Sequence, residues 1–505
     1  MSETSASPRN LGTAVARGAA WTVGFRLADR GIGLVSTLVL ARLLVPEDFG
    51  LIAMATTLMA LIEVVTVGEF GSAIIHNPDV TRDHYDSAWS MSALFGLTAA
   101  VLLIAFAYPT AAFFKEPRLV PVILALSLLP IIDGLFNMGC VDFRKHLQFH
   151  KDFQLQVGRK IIGFLIVIPL AFVTRSYWAL IAGMIAGRAA GLALSYLLHP
   201  FRPRFSLRSA RSLFRYSAWL MVNNALTFLS QRGAHLVVGR LLTPQALGLY
   251  TVSHEMAHLP TTEMAMPVNR AIFPGYSKLQ NDRAALRGAF LRVLGVMAIV
   301  TIPAGLGMAC IAHLFVPAVL GANWMAAAPL ISLLALAGTI NALQANIESV
   351  YLATGHPRLK AAMTLLEVAC FLPLLLLLVP RYGLTGAAAA LIITASIAAP
   401  SNYAIALKLL RLSPLKLAPV LWRPLVAAMI MTAILLVVFP QSAVRPSSLG
   451  NLWAMIAAIL LGAAAYALAL CAMWLVAGRP DGAERWIWTQ FLEKLRRATP
   501  GAAAG

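Results

Sequence analysis

A nine-residue phrase occurs twice in this chain, 198 residues apart. The residues from Arg42 to Gly50 are Arg-Leu-Leu-Val-Pro-Glu-Asp-Phe-Gly, and those from Arg240 to Gly248 are Arg-Leu-Leu-Thr-Pro-Gln-Ala-Leu-Gly. Six long apolar segments separate the two copies. The repeat therefore predicts two copies of one structural unit. The even number of segments between them predicts that both copies have the same orientation, as in the parallel repeats of secondary transporters.

The composition predicts that these apolar segments lie in a membrane. The chain has 505 residues, of which 59% are hydrophobic and 12% are charged, whereas soluble domains carry about 25% charged residues. A transmembrane helix needs about 20 largely apolar residues. We predict an all-α polytopic membrane protein with about fourteen transmembrane helices, at residues 18–41, 50–75, 87–110, 119–141, 158–174, 177–199, 214–240, 247–272, 288–314, 327–353, 359–379, 384–407, 419–440 and 452–477.

The basic residues predict the orientation of these spans. The formal net charge of +19 does not indicate a nucleic-acid partner, because the Lys and Arg residues fall in short loops. With the N-terminus in the cytoplasm, 29 of the 40 Lys and Arg residues are cytoplasmic and 7 are external. Cytoplasmic loops of membrane proteins carry such an excess. We therefore expect both termini to be cytoplasmic.

The repeat and the spans together predict the domain organisation. We expect an N-lobe over residues 1–205 with six spans and a C-lobe over residues 206–412 with six more. Two extra spans follow at 413–478, and we expect them to pack beside the C-lobe. The last segment, 479–505, is expected to be cytoplasmic and includes an amphipathic stretch typical of an interfacial helix.

Four arginines lie inside predicted spans, where an unpaired charge costs several kcal/mol. On span one, Arg26 and Arg30 share a helical face with Gly33 and Thr37, and Asp29 flanks that face. The other two deep arginines are Arg188 and Arg232. They either bind an anion in a wet cavity or pair with acids such as Asp29 or Glu63 and only hold helices together.

Other polar residues at membrane depth are candidates for sugar binding or ion coupling. When the 198-residue offset of the repeat is applied, a polar face of span seven aligns with the polar face of span one. That face is Asn224, Thr227, Gln231 and His235, and a similar stripe on span ten contains Asn341 and Gln344. Buried acids and imidazoles can carry a coupling proton or can simply join helices by hydrogen bonds. The candidates for ion coupling are Glu63, Glu255, His258 and Glu367.

Several short phrases resemble one known family. They are Arg42–Gly50, Gly-Glu-Phe-Gly-Ser-Ala-Ile-Ile at 68–75, Phe-Arg-Lys-His-Leu-Gln-Phe at 143–149, Tyr-Trp-Ala-Leu at 177–180 and Leu-Gly-Leu-Tyr at 247–250. In order and spacing, over roughly residues 10–410, the chain resembles the Wzx-type polysaccharide flippases, and more closely the WzxC-like exporters of lipopolysaccharide and exopolysaccharide. These proteins belong to the multidrug/oligosaccharidyl-lipid/polysaccharide exporter superfamily.

The resemblance implies two six-helix lobes around a central cavity, plus two extra helices. It also implies a substrate, an oligosaccharide repeat unit linked to undecaprenyl pyrophosphate, which moves across the bacterial inner membrane by alternating access. Other implied partners are membrane lipids and the polymerase and export machinery. A pyrophosphate needs guanidinium partners in a low-dielectric cavity, and we expect Arg26, Arg30, Arg188 and Arg232 to supply them. The family has no strict catalytic signature to transfer.

Two alternatives within the same superfamily stay open, a lipid-II-type flippase and a multidrug antiporter. An organic cation would favour deep carboxylates over arginines. An integral-membrane polymerase or glycosyltransferase is a third alternative. The sequence contains no Gly-rich phosphate loop, no His-Glu-x-x-His and no Gly-x-Ser-x-Gly. We therefore expect a transporter without catalytic residues, metal or cofactor.

Overall fold

Helices form almost all of the chain in the computed structural model, which describes residues 8–66, 70–76, 79–146, 148–440, 448–480, 482–485 and 489. The chain divides into two compact units, residues 1–248 (unit 1) and 249–505 (unit 2). The helices of unit 1 are α1 Pro8–Leu43, α2 Pro46–Thr66, α3 Phe70–His76, α4 Arg82–Phe114, α5 Leu119–Leu126, α6 Leu128–Gly134, α7 Asp142–Lys145, α8 Phe149–Thr174, α9 Trp178–Leu198 and α10 Ala210–Leu241.

The eleventh helix, α11 Pro244–Leu279, begins in unit 1 and continues into unit 2. The helices that follow are α12 Arg283–Phe315, α13 Ala327–Ala353, α14 Pro357–Leu410, α15 Ala418–Val438 and α16 Ser448–Val476. Within unit 2, α15 and α16 pack against each other and against α12. This packing agrees with the expectation that the last two spans lie beside the second half of the chain.

Eight helices of the described residues are long and apolar enough to cross a membrane, and a bent pair of shorter helices makes a ninth. The predicted fold class, an all-α polytopic membrane protein, is confirmed. Each of the fourteen predicted spans falls on helical segments of the structure. Helix α14 has 54 residues and contains two predicted spans. It is kinked between them at Gly383, which has non-helical angles (φ 57°, ψ −134°). The number fourteen is compatible with this architecture and stays a prediction.

One predicted span differs from the helices observed. The span at 119–141 is broken, with a bend of 67° between Leu119–Gly134 and Met138–Lys145. Asn137 has extended backbone angles there (φ −67°, ψ 108°) and accepts a hydrogen bond from the Gly139 amide. Its amide nitrogen also donates to the carbonyls of Ser195 and Phe201 at 3.2 and 3.0 Å. These hydrogen bonds stabilise the break. A count of apolar residues along the sequence does not reveal them.

The repeated phrase has the same local structure in both copies. Helix α1 ends at Leu43 and α2 begins at Pro46, while α10 ends at Leu241 and α11 begins at Pro244. Proline suits the first position of a helix, because the amide it lacks would have no intrahelical acceptor there. Each phrase is therefore a short connection between two long helices.

The boundary between compact units lies at Gly248, whereas the predicted lobes divide at residue 205. Helix α10 packs against α2, α3 and α4, which places it with unit 1. The lobe division rests on the sequence repeat and stays a prediction. The predicted interfacial stretch in the tail falls mostly on residues 486–488 and 490–505, outside the described residues.

Candidate functional site

A cavity of about 520 Å³ lies within unit 1, among α1, α8 and α9. Its wall is apolar for much of its area, and it carries four charged side chains. The polar and charged lining residues are Asp29, Ser36, Thr37, Gln156, Arg159, Lys160 and Arg188. Three cations and one carboxylate give the wall a positive balance. We call this space the cationic cavity.

Helix α1 lines the cationic cavity with the side that carries Asp29, Gly33 and Thr37. These residues recur at steps of four and so share one helical face. Gly33 lies beside Lys160, and a Cβ atom at this position would be in van der Waals contact with its Nζ, at 3.4 Å. The absence of a side chain at Gly33 thus leaves room for the lysine to cross the face of α1.

The side chain of Lys160 is anchored to α1 by two contacts. Its Nζ donates to the Oδ1 atom of Asp29 and to the carbonyl oxygen of the same residue, both at 2.5 Å. The two side chains are about one-third exposed, at 32% and 37%. Asp29 therefore neutralises one of the three cations that line the cavity.

Glycines set the distance between α8 and α9. A Cβ atom at Gly187 would lie 3.2 Å from the Arg159 carbonyl, and one at Gly163 would lie 3.1 Å from the Gly183 carbonyl. Small residues allow helix backbones to approach closely in a membrane, as the Gly-x-x-x-Gly spacing at 183 and 187 indicates. This close packing fixes Arg159 and Arg188 on neighbouring helices at the same cavity.

Arg188 also forms an ion pair with Asp133, at the end of α6. Asp133 lines a second cavity of about 200 Å³ together with Glu63. The electrostatic neighbours of Glu63 are Arg188 and Arg232. Two of the four predicted arginines thus share one carboxylate within unit 1. For Arg188, the ion-pairing alternative stated above describes a real contact, although with Asp133 as the partner.

The other predicted residues of unit 1 have varied surroundings. Arg30 is exposed and is not among the residues that line the cationic cavity. The side chains of Arg26 and Asn224 lie outside the described part of the chain. On α10, Gln231 is exposed and Thr227 is partly buried, while His235 is buried with 7% exposure. The matched polar faces of the repeat therefore do not have matched environments.

The predicted polar stripe on span ten forms a second polar site, within unit 2. Gln344 accepts a hydrogen bond from Nδ2 of Asn402 at 2.8 Å, and its own amide lies 3.5 Å from Oδ1 of Asn341. A cavity of about 270 Å³ opens beside these groups, and its wall includes the predicted coupling residue Glu367. The ion pair between Lys360 and Glu348 completes its polar lining. Amide and carboxylate groups of this kind can bind sugar hydroxyls.

The remaining coupling candidates lie on α11. Nδ1 of His258 is 3.0 Å from the carbonyl of His254, and the two imidazoles stack at 4.1 Å. His258 also packs beside Gly338 of α13, where an added Cβ would lie 3.2 Å from the ring. Glu255 is exposed. The geometry around His258 is that of a packed contact between helices, and a role in coupling stays a prediction.

Sequence reasoning missed Arg159 and Lys160 as site residues. The predicted span began at residue 158, and both residues, at its cytoplasmic end, were counted with the loop that precedes it. Helix α8 begins at Phe149, so both residues lie about three turns inside it. The available signal was the run of glycines at 183, 187 and 191 on the next helix, because a Cβ atom at Gly191 would lie 3.4 Å from the Arg159 side chain.

Comparison with known proteins identifies the family. The family described as "Polysaccharide biosynthesis protein" matches residues 39–329, more than half of the chain. The chain therefore belongs to the polysaccharide biosynthesis protein family. It is 26% identical over 366 residues to the lipopolysaccharide biosynthesis protein WzxC of Escherichia coli K12, covering 70% of this chain and 73% of WzxC.

Two solved structures share the fold. The lipid II flippase MurJ in an inward closed conformation superimposes with a TM-score of 0.71 at 14% identity, covering 90% of this chain and all of MurJ. An inward-facing multidrug resistance transporter of the MATE family, in the MOP superfamily, gives a TM-score of 0.58 at 15% identity, covering 75% of this chain and 94% of that structure. At these identities the likeness concerns the fold alone.

Proposed function

We propose that the chain is a flippase that moves an undecaprenyl-pyrophosphate-linked oligosaccharide from the inner to the outer leaflet of a bacterial inner membrane, by alternating access. Its product would serve surface polysaccharide biosynthesis. The observation that carries the proposal is the cationic cavity, with Arg159, Lys160 and Arg188 against the single carboxylate of Asp29. Three cations on one wall suit a pyrophosphate diester, which carries about two negative charges, although Asp133 already pairs with one of them, Arg188.

The geometry of the cavity supports a lipid-linked anion in particular. Guanidinium groups bind phosphate oxygens through parallel N–H donors, so Arg159 and Arg188 suit a pyrophosphate better than lysines alone. The undecaprenyl chain can stay in the bilayer, which leaves only the polar head for the protein to bind. The amide-rich cavity of unit 2, with Asn341, Gln344 and Asn402, offers hydrogen-bonding groups for sugars.

The same charges disfavour the multidrug alternative, because an organic cation would be repelled by the cationic cavity. A membrane polymerase or glycosyltransferase would need a cluster of carboxylates at the outer surface. Glu47 and Glu116 both pair with Arg118. The hydrogen bond from Arg118 holds the pKa of Glu116 below its ordinary value. These acids fix a loop, so we propose that the chain is not an enzyme.

The proposal is tested by filling the cationic cavity. Gly33→Leu places a side chain against Lys160, whereas Gly31→Leu, two residues away on the same helix, meets no atom within 4 Å of its Cβ. In a flippase-deficient strain, we expect Gly33→Leu to reduce surface polysaccharide at least tenfold, because a 1.4 kcal/mol loss of binding is already tenfold. Gly31→Leu should retain export.

Membrane abundance measured in parallel separates loss of transport from loss of protein. If Gly33→Leu inserts normally and exports as well as Gly31→Leu, the cavity does not carry the substrate. The single variants Arg159→Gln and Lys160→Gln give a second test, because each removes a charge from the cavity wall without adding volume. We expect these variants to accumulate lipid-linked oligosaccharide inside the cell, and normal levels of that intermediate would contradict the proposal.

The proposed orientation has its own test. In a variant without the four native cysteines, a cysteine at the exposed Asn323 should react with a membrane-impermeant maleimide added to intact spheroplasts. One at the exposed Ser413, which follows the basic end of α14, should react only after the membrane is opened. Labelling of both sites in intact spheroplasts would show that the cytoplasmic placement of the loops is wrong.

A further inference from the structure

The chain reverses direction after its last described helix. Helix α16 ends at Val476, and the next residues include Gly478 (φ 78°) and Arg479 (φ 54°), both in the left-handed region. The indole Nε1 of Trp474 donates to the carbonyl of Pro480 at 3.3 Å. The turn is thus closed by a hydrogen bond, and Pro480 and residues 482–485 return towards the first half of α12 and the start of α15.

This returning segment is fixed to the helices of unit 2. Nε of Arg423 donates to Oε1 of Glu484 at 2.7 Å, and the two side chains are only 7% and 9% exposed. Ala483 is 4% exposed. It fits against Gly295 of α12, where a Cβ atom would come within 2.8 Å of the Ala483 methyl group. A buried ion pair and a close packing contact therefore hold the segment in a defined place.

The segment encloses a cavity of about 670 Å³ with the first turns of α12 and α15. Its charged lining residues are Arg292, Lys416, Arg423, Glu484 and Arg485. Glu484 is the one carboxylate among the described lining residues, and it is paired with Arg423. Arg292 and Lys416 add two further cations to this pair, so the net charge of the described wall is positive.

Two exposed apolar residues are the sequence neighbours of cations that line this cavity. Leu415 is 81% exposed and precedes Lys416, while Trp422 is 43% exposed and precedes Arg423. The Arg423 guanidinium lies 6.0 Å from the Trp422 ring centroid. Trp beside Lys and Arg is typical of the membrane interface, where the ring meets acyl chains and the cations meet headgroups. An occupant of this site would thus have an anionic head and a hydrocarbon tail.

We propose that this cavity binds the phosphate headgroup of an anionic membrane phospholipid. Arg292 and Lys416 would contact the phosphate, and the acyl chains would lie along Leu415, Trp422 and the start of α15. The site is separate from the cationic cavity, since it consists of unit 2 residues alone. A soluble phosphate shares the same charge, but it gains nothing from the exposed Leu415 and Trp422, which is why we assign a lipid.

The test measures lipid binding to the full-length protein in detergent, by native mass spectrometry with phosphatidylglycerol as the probe and phosphatidylcholine as the comparison. Each Lys or Arg near an anionic headgroup contributes about fivefold in affinity. We expect Arg292→Gln with Lys416→Gln to weaken phosphatidylglycerol binding about 25-fold and to leave phosphatidylcholine binding unchanged. This variant leaves the pair between Arg423 and Glu484 intact.

A matched control removes one Lys and one Arg elsewhere. Lys278 and Arg358 are exposed, belong to unit 2 and do not line this cavity. The variant Lys278→Gln with Arg358→Gln should bind phosphatidylglycerol like the wild type. The proposal is overturned if this control loses as much affinity, or if the wild type does not prefer phosphatidylglycerol. It is also overturned if inorganic phosphate at equal phosphate concentration displaces the lipid, since that marks a site for soluble anions.

Discussion

Arg188→Ala is expected to abolish surface polysaccharide export in a flippase-deficient strain, with membrane abundance near that of the wild type. Arg188 lines the cationic cavity and is one of two guanidinium groups on its wall. A hydrogen bond to a charged group contributes roughly 1.5–3 kcal/mol, which is about tenfold to a hundredfold in affinity. Because the substrate is proposed to carry its charge in the pyrophosphate alone, the loss of one guanidinium should affect both binding and transport.

The ion pair with Asp133 offers a competing explanation, in which Arg188 only joins α9 to α6. The variant Asp133→Asn separates the two, because it removes the same ion pair and keeps the guanidinium. If Arg188 binds substrate, Asp133→Asn should export well and Arg188→Ala should not. The combined variant should insert normally and stay inactive. Equal losses from both single variants, restored in the combined variant, would assign Arg188 a structural role instead.

The fold was predictable from the sequence because apolar length alone decides where a helix can cross a membrane. The span predicted at 327–353 has the same limits as α13, Ala327–Ala353. The break near Asn137 was not predictable, because the hydrogen bonds that stabilise it reach Ser195 and Phe201 on a distant part of the chain. Local composition contains no information about such partners.

The candidate site was predictable only in part. The position of Asp29 and Arg188 far from the ends of their predicted spans indicated both residues, and both line the cationic cavity. The same criterion also indicated Arg30, which shares a helix with Asp29 but is exposed and does not line that cavity. Neighbouring residues on a helix point about 100° apart, so depth cannot choose between them. Arg159 and Lys160 were missed because a charged first turn and a loop have the same composition.

The repeated phrase has a structural consequence that composition does not show. The two copies meet within unit 1, where the Gly50 amide and the Gly248 backbone approach closely. A Cβ atom at Gly50 would overlap the carbonyl oxygen of Pro244, and a Cβ atom at Gly248 would overlap the carbonyl oxygen of Pro46. The contact is reciprocal. Each glycine lies one helical turn after the proline that begins its helix, which explains why both residues recur at the same spacing.

Gly50→Ala should therefore be strongly destabilising. The methyl group meets backbone atoms, so α2 and α11 must separate at their beginnings. Overpacking typically costs about 1–3 kcal/mol, and we expect a value of roughly 3 kcal/mol or more, because a carbonyl cannot rotate away as a side chain can. The measurement is the thermal unfolding midpoint of the purified protein, which should fall by several degrees. Gly248→Ala should have the same effect.

The control and the double variant make this prediction specific to the reciprocal contact. Gly31→Ala and Gly275→Ala meet no atom within 4 Å, and since alanine favours helices, they should keep or slightly raise the midpoint. Once one methyl group has separated the two helices, the second finds space. The combined Gly50→Ala, Gly248→Ala variant should therefore lose much less than the sum of the single losses, because contacting sites are not additive. Strict additivity, or a wild-type midpoint for Gly50→Ala, would show that the two copies of the phrase do not hold each other in this way.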